Sequence, residues 1–145
     1  MTEHFSLDEL TASQEATRHN INNKPNEKVV ENLRMLAALL EQVRELLGGN
    51  SIRISSGYRS LALNRHIGSN DTSAHVRGWA ADFTCPSFGT PITVAKKIAE
   101  SNLKFDQLIC EGNAWIHISC DPQNRRQLLT ARFKDGHTYY TTGIA

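Results

Sequence analysis

The order of elements in this 145-residue chain predicts an α+β fold, with N-terminal helices packed on a small antiparallel sheet. Three observations carry that expectation. A long amphipathic stripe fills residues 26–47. The second half instead shows short alternating runs separated by turn residues. A single helical pattern, at 91–99, interrupts those runs. Hydrophobic residues make up 39% and charged residues 21%, which is the composition of a folded chain rather than a disordered one. The length suits one domain, residues 1–145.

Ser6-Leu7-Asp8-Glu9 fits a capping box and predicts a short first helix. Residues 20–25 are polar and broken, and read as a loop. Asn26 opens the main helix, where Val29, Val30, Leu33, Leu36, Ala37, Leu40, Val43 and Leu47 recur at spacings of three and four. Such a stripe is how a helix packs on a core. Gly48-Gly49 ends it.

Ile52 and Ile54 alternate with polar residues and predict a strand; residues 60–65 follow as a helical turn and 66–72 as a polar loop. Residues 79–84 read as a strand, and Thr90-Pro91 opens a helix through Ile92, Ala95, Ile98 and Ala99. Residues 107–111 and 115–119 are two strands around a tight loop, and Lys134-Asp135-Gly136 turns a hairpin between 128–133 and 137–142.

Several functions are set aside by composition. A net charge of +1 gives no field that favours nucleic acid. No stretch approaches the ~18 apolar residues of a membrane span. The first ten residues lack a basic start followed by an apolar run, so no signal peptide is expected, and synthesis in a cytoplasm is. Cys85, Cys110 and Cys120 are an odd set without CxxC spacing and read as buried thiols, with a Cys110–Cys120 bridge left open.

Six histidines need reasons. His4, His19 and His137 lie in polar contexts and read as solvated surface residues, and His66 is given no role. His75 precedes Asp82 by seven positions, and the two converge if the chain turns at Gly78 and enters a strand. His117 sits inside the alternating run Trp115-Ile116-His117-Ile118-Ser119, where a buried imidazole needs a partner. Two imidazoles and a carboxylate form a three-ligand zinc set with a position open for water. A structural His–Asp hydrogen bond is the other reading of the same residues.

Ser73-x-His75-x-x-Gly78-x-Ala80-x-Asp82, followed by Trp115-x-His117-x-Ser119 and preceded by Ser56-Gly57-Tyr58-Arg59-Ser60, resembles the zinc D-Ala-D-Ala carboxypeptidase and L-Ala-D-Glu endopeptidase family. That family includes cell-wall carboxypeptidases and phage lysis enzymes, and shares its zinc fold with the hedgehog signalling domain. The resemblance covers about residues 50–120. It implies a Zn²⁺ ion on His75, Asp82 and His117. Arg59 would hold a substrate carboxylate or an oxyanion. Ser73 and Trp115 would line the substrate, a peptidoglycan stem peptide.

The resemblance also implies an acidic general base before the last histidine, and Glu111 is the candidate. Strand parity sets a condition. A three-residue loop, 112–114, pairs Glu111 with Trp115 and puts it on the His117 face; a two-residue loop turns it away. Asp106 is the other carboxylate, on the opposite face by simple alternation. The expected protein is a monomeric zinc peptidase acting at the bacterial cell wall, as a phage endolysin or virion-associated lysin. The alternative is a zinc-stabilised binding or structural module of a phage particle without turnover.

Overall fold

The computed structural model describes residues 1–144. The helices are α1 (Leu7–Thr11), α2 (Gln14–Arg18), α3 (Glu27–Leu46), α4 (Leu61–His66) and α5 (Pro91–Ala99). The strands are β1 (Arg53–Ser56), β2 (Ala80–Thr84), β3 (Gln107–Glu111), β4 (Trp115–Ser119), β5 (Gln127–Lys134) and β6 (His137–Thr142). A 3-10 turn, Ala74–Arg77, leads into β2.

Local chemistry explains the helix starts. The Ser6 hydroxyl accepts the Glu9 N–H at 3.1 Å, and the Asn26 side chain accepts the Val29 N–H at 2.9 Å. α2 was not expected. The Ser13 hydroxyl caps it through the Ala16 N–H, and its five residues are too few to show a period. Thr90 makes no side-chain cap bond, so α5 begins on Pro91 alone. In α3, Leu33, Leu36 and Leu40 are fully buried, each contributing about 1.5–3 kcal/mol of transfer free energy.

The sheet order is β1-β2-β4-β3-β5-β6. The expected all-antiparallel sheet is corrected at one place: β3 and β5 run parallel. The reason lies in the connection after β4. The Asp106 carbonyl accepts the Gln127 N–H at 2.8 Å, and its carboxylate binds the Arg125 side chain and backbone at 2.8–3.0 Å. Those bonds turn the chain so that β5 starts beside the start of β3. The β5–β6 hairpin closes as read, with Asp135 and Gly136 both at positive φ.

Alternation divides the sheet. Ala81, Phe83, Leu108, Cys110, Ile116 and Ile118 point into the core with α3 and α5. Asp82, His117, Trp115 and Glu111 take the other parity. All three cysteines are buried and free. Cys110 pairs with Ile116, which leaves Cys120 beyond the end of that ladder and excludes the bridge.

Two glycines are required by space. A Cβ on Gly57 would drive into the Leu10 carbonyl, and one on Gly78 (φ +77) would meet Val29 Cγ1 at 3.0 Å. Gly57→Ala must therefore push α1 off the β1 exit. It is expected to cost about 2 kcal/mol or more, read as a lower urea midpoint with unchanged slope.

Candidate metal centre

Three donor atoms converge on the face opposite the core. Antiparallel pairing of β2 with β4 sets Asp82 directly across from His117, and Asp82 Oδ1 lies 3.0 Å from His117 Nδ1. His75 arrives from the 3-10 turn. Gly78, in the left-handed conformation, caps that turn and redirects the chain into β2. This brings His75 Nε2 to 3.3 Å from the same Asp82 oxygen. The two rings meet edge to face with centroids 5.1 Å apart. The ligand atoms of His75, Asp82 and His117 all lie within 4.8 Å of one another.

The tautomer of His75 decides what this cluster wants. Its Nδ1 lies 2.7 Å from the Gly57 carbonyl, which can only accept, so Nδ1 carries a proton. His75 is 3% exposed, and burial pushes its imidazole below the ordinary value although Asp82 pulls the other way. A neutral ring with Nδ1 protonated presents a bare lone pair at Nε2. That lone pair faces a carboxylate oxygen. Burial works to raise the Asp82 carboxyl, but the neighbouring imidazoles outweigh it and hold the group well below the usual carboxylate range. Lone pair against anion is repulsive, and a cation between them, a proton or a metal ion, relieves it. The donor spacing fits one, because arms of about 2.0–2.2 Å at tetrahedral angles place neighbouring donors about 3.3–3.5 Å apart. The residues present thus fit a zinc-type divalent ion, and the Gly57 carbonyl orients the ligand from behind.

A cleft of about 470 Å³ surrounds the cluster, lined by Arg59, Ser73, His75, Asp82, Glu111, Trp115 and His117 among others. Every residue singled out in the sequence thus reaches one place. Arg59 Nε is buried without a partner among the described residues. Burial pushes the guanidinium down and the charge of Asp82 opposes that, yet arginine stays charged. An incompletely paired cation beside the cleft suits an incoming anion. Glu111 pairs with Trp115 across a loop of three residues, as the His117 face requires. It stands diagonal to His117, within reach of a long side chain. Burial raises the Glu111 carboxyl above its usual value, with His117 pulling down and Asp82 adding to the rise.

Other placements differ from simple pattern. The Ser73 hydroxyl accepts the His75 N–H at 3.3 Å and caps the 3-10 turn. Asp106 lies just before β3, where alternation no longer applies; it lines the cleft with its carboxylate bound to Arg125. Asp121 and Tyr140 are among the cleft residues that were not foreseen. Asp121 leaves Oδ1 buried without a partner among the described residues, and extending the 115-117-119 parity would have found it. Tyr140 arrives through the register Glu111–Ala131–Tyr140 across β3, β5 and β6. No local signal announces it, because it depends on the parallel pair. None of the three cysteines lines the cleft, and burial pushes the Cys120 thiol up to about 12 and Cys110 upward as well.

His117→Ala is expected to lose the tightly held metal, whereas Glu111→Gln keeps it. Metal content after desalting against a weak chelator checks both.

Among curated proteins none matches the chain. The family model described as Peptidase M15 matches residues 3–119, from the first helix through the end of β4. That span contains all three donors, Arg59 and Glu111, and the chain belongs to the M15 peptidases, a family of zinc-dependent metallopeptidases.

Proposed function

We propose that this protein is a zinc peptidase that hydrolyses stem-peptide bonds of bacterial peptidoglycan. The observation that carries the reading is the neutral His75 lone pair set against Asp82 and His117, with Glu111 on the same face of the sheet. Zinc held by His75, Asp82 and His117 supplies a Lewis acid that polarises a carbonyl and lowers the pKa of water.

The protein's own residues do the rest. Glu111 takes a proton from the attacking water as its oxygen bonds to the scissile carbon. The same carboxyl then delivers that proton to the leaving amine as the C–N bond breaks. Burial raises the Glu111 carboxyl, which makes it a stronger proton acceptor for this exchange. Arg59 offers its guanidinium to a substrate carboxylate or to the negative oxygen that develops. Trp115 and Ser73 line the substrate side, with Ser73 also holding the turn that carries His75.

On this reading the place of action is the bacterial cell wall, reached by a chain made in a cytoplasm, as for a phage endolysin or a virion-associated lysin. Among the described residues no helix is long and apolar enough to cross a membrane. Carboxypeptidase and endopeptidase action differ in whether a free terminal carboxylate must be held, and Arg59 is where that difference is read.

Release of new amino groups from purified peptidoglycan is expected, to stop with chelator and to return with added zinc. Glu111→Gln should lower the rate by about 10²–10⁴-fold with metal retained. No release from several wall types by metal-loaded protein would leave a metal-holding binding module instead.

Arg59→Lys keeps the charge and loses the planar fork. It is expected to reduce kcat/KM at least about tenfold. A rise in KM alone assigns Arg59 to the substrate carboxylate, and a fall in kcat of about 10²–10³-fold assigns it to the oxyanion.

A further inference from the structure

A second group of metal-ligand side chains stands away from the cleft just described. Glu15 lies on α2, His19 caps the C-terminus of α2, and His66 ends α4. Their ligand atoms lie within 4.8 Å of one another. His19 Nε2 is 3.4 Å and His66 Nε2 is 3.6 Å from the same atom, Glu15 Oε2. The other carboxylate oxygen, Oε1, is taken by Arg18 at 3.1 Å, which turns Oε2 toward the two rings. The rings lie 4.3 Å apart between centroids, tilted by 49°.

We propose that Glu15, His19 and His66 form a second binding site for a zinc-type divalent cation, which ties α2 to α4. Two features set this group apart. First, the two spacings, 3.4 and 3.6 Å onto one carboxylate oxygen, are close to the ~3.3–3.5 Å between donors sharing one tetrahedral ion. Second, the separations at the M15 metal centre are 3.0 and 3.3 Å, so the two groups share one arrangement: two imidazole nitrogens on a single carboxylate oxygen.

Two nitrogens and one oxygen are a zinc-type donor set, with copper and nickel the nearest competitors. The side chains are 37–45% exposed, so an ion enters freely, solvent completes its coordination, and it is held more weakly than at the buried centre. The site would act as a clip. α2 and α4 have five and six residues, too few to be stable alone, and Glu15 lines a surface cleft that also reaches Leu63 and Arg59. An ion here fixes the wall of that cleft without entering the hydrolytic machinery.

The test is a Zn²⁺ titration of metal-free protein against a chromophoric chelator, with Co²⁺ absorption as a second readout. Wild type is expected to take two equivalents, the second more weakly. The double variant His19→Ala/His66→Ala should take one, and His117→Ala should also take one, each losing a different class of site. The second equivalent should raise Tm in wild type and not in the double variant, while the metal-free proteins melt alike. Saturation of wild type at one equivalent, or two equivalents retained by the double variant, overturns the proposal.

Discussion

The hydrogen bond from His75 Nδ1 to the Gly57 carbonyl, 2.7 Å long, fixes which ring nitrogen is bare, and the metal centre depends on that choice. Gly57 can make it because the chain there passes too close to the Leu10 carbonyl for any side chain. The neighbouring residues are held from the same two directions. The Tyr58 N–H donates to Leu10, and the Arg59 N–H donates to the His75 carbonyl. Asn23 binds the Tyr58 carbonyl and accepts the Ser60 N–H. The short N-terminal helices therefore do more than cover the core. They clamp the segment that orients His75 and carries Arg59.

The remaining ligands come from sheet geometry. Asp82 and His117 are cross-strand partners, so backbone pairing sets their separation before any metal binds. Glu111 shares the face through the β3–β4 hairpin. Rigid elements of this kind hold a site more closely than loops do. The opposite parity of the same strands is apolar and packs on α3 and α5. Core and site are thus two faces of one sheet, and a one-residue slip in β4 would exchange them.

Electrostatics in the cleft follow from burial. A low-dielectric wall makes each unpaired charge costly and each pairing strong. Asp82 is held ionised by the imidazoles, His75 is held neutral, Glu111 is raised, and Arg59 keeps a buried Nε with no partner among the described residues. β5 and β6 lie beyond the span matched by the family model, yet they bring Tyr140 over Glu111. The C-terminal hairpin thus adds Tyr140, and the connection before it Asp121 and Arg125, to a cleft otherwise lined by the family's own segment.

Local signals in the sequence announced the long helix, the order of the strands and of every helix but α2, the hairpin turns and the three candidate metal donors. Each of these is written in local signals: a 3.6-residue stripe, alternation, capping residues, a glycine at a turn, and motif spacing. The face of Glu111 was also legible, because a three-residue loop and strand parity are enough to set it. Tertiary structure alone decided the parallel β3–β5 pair, the place of Asp106, the arrival of Tyr140 and the meeting of Glu15, His19 and His66. Those depend on contacts between residues far apart in the chain: Asp106 with Arg125 and Gln127, and α2 with α4. No periodicity within one segment encodes which distant segment it will meet, so His19 read as a solvated surface residue and His66 had no role until the fold set both near one carboxylate oxygen.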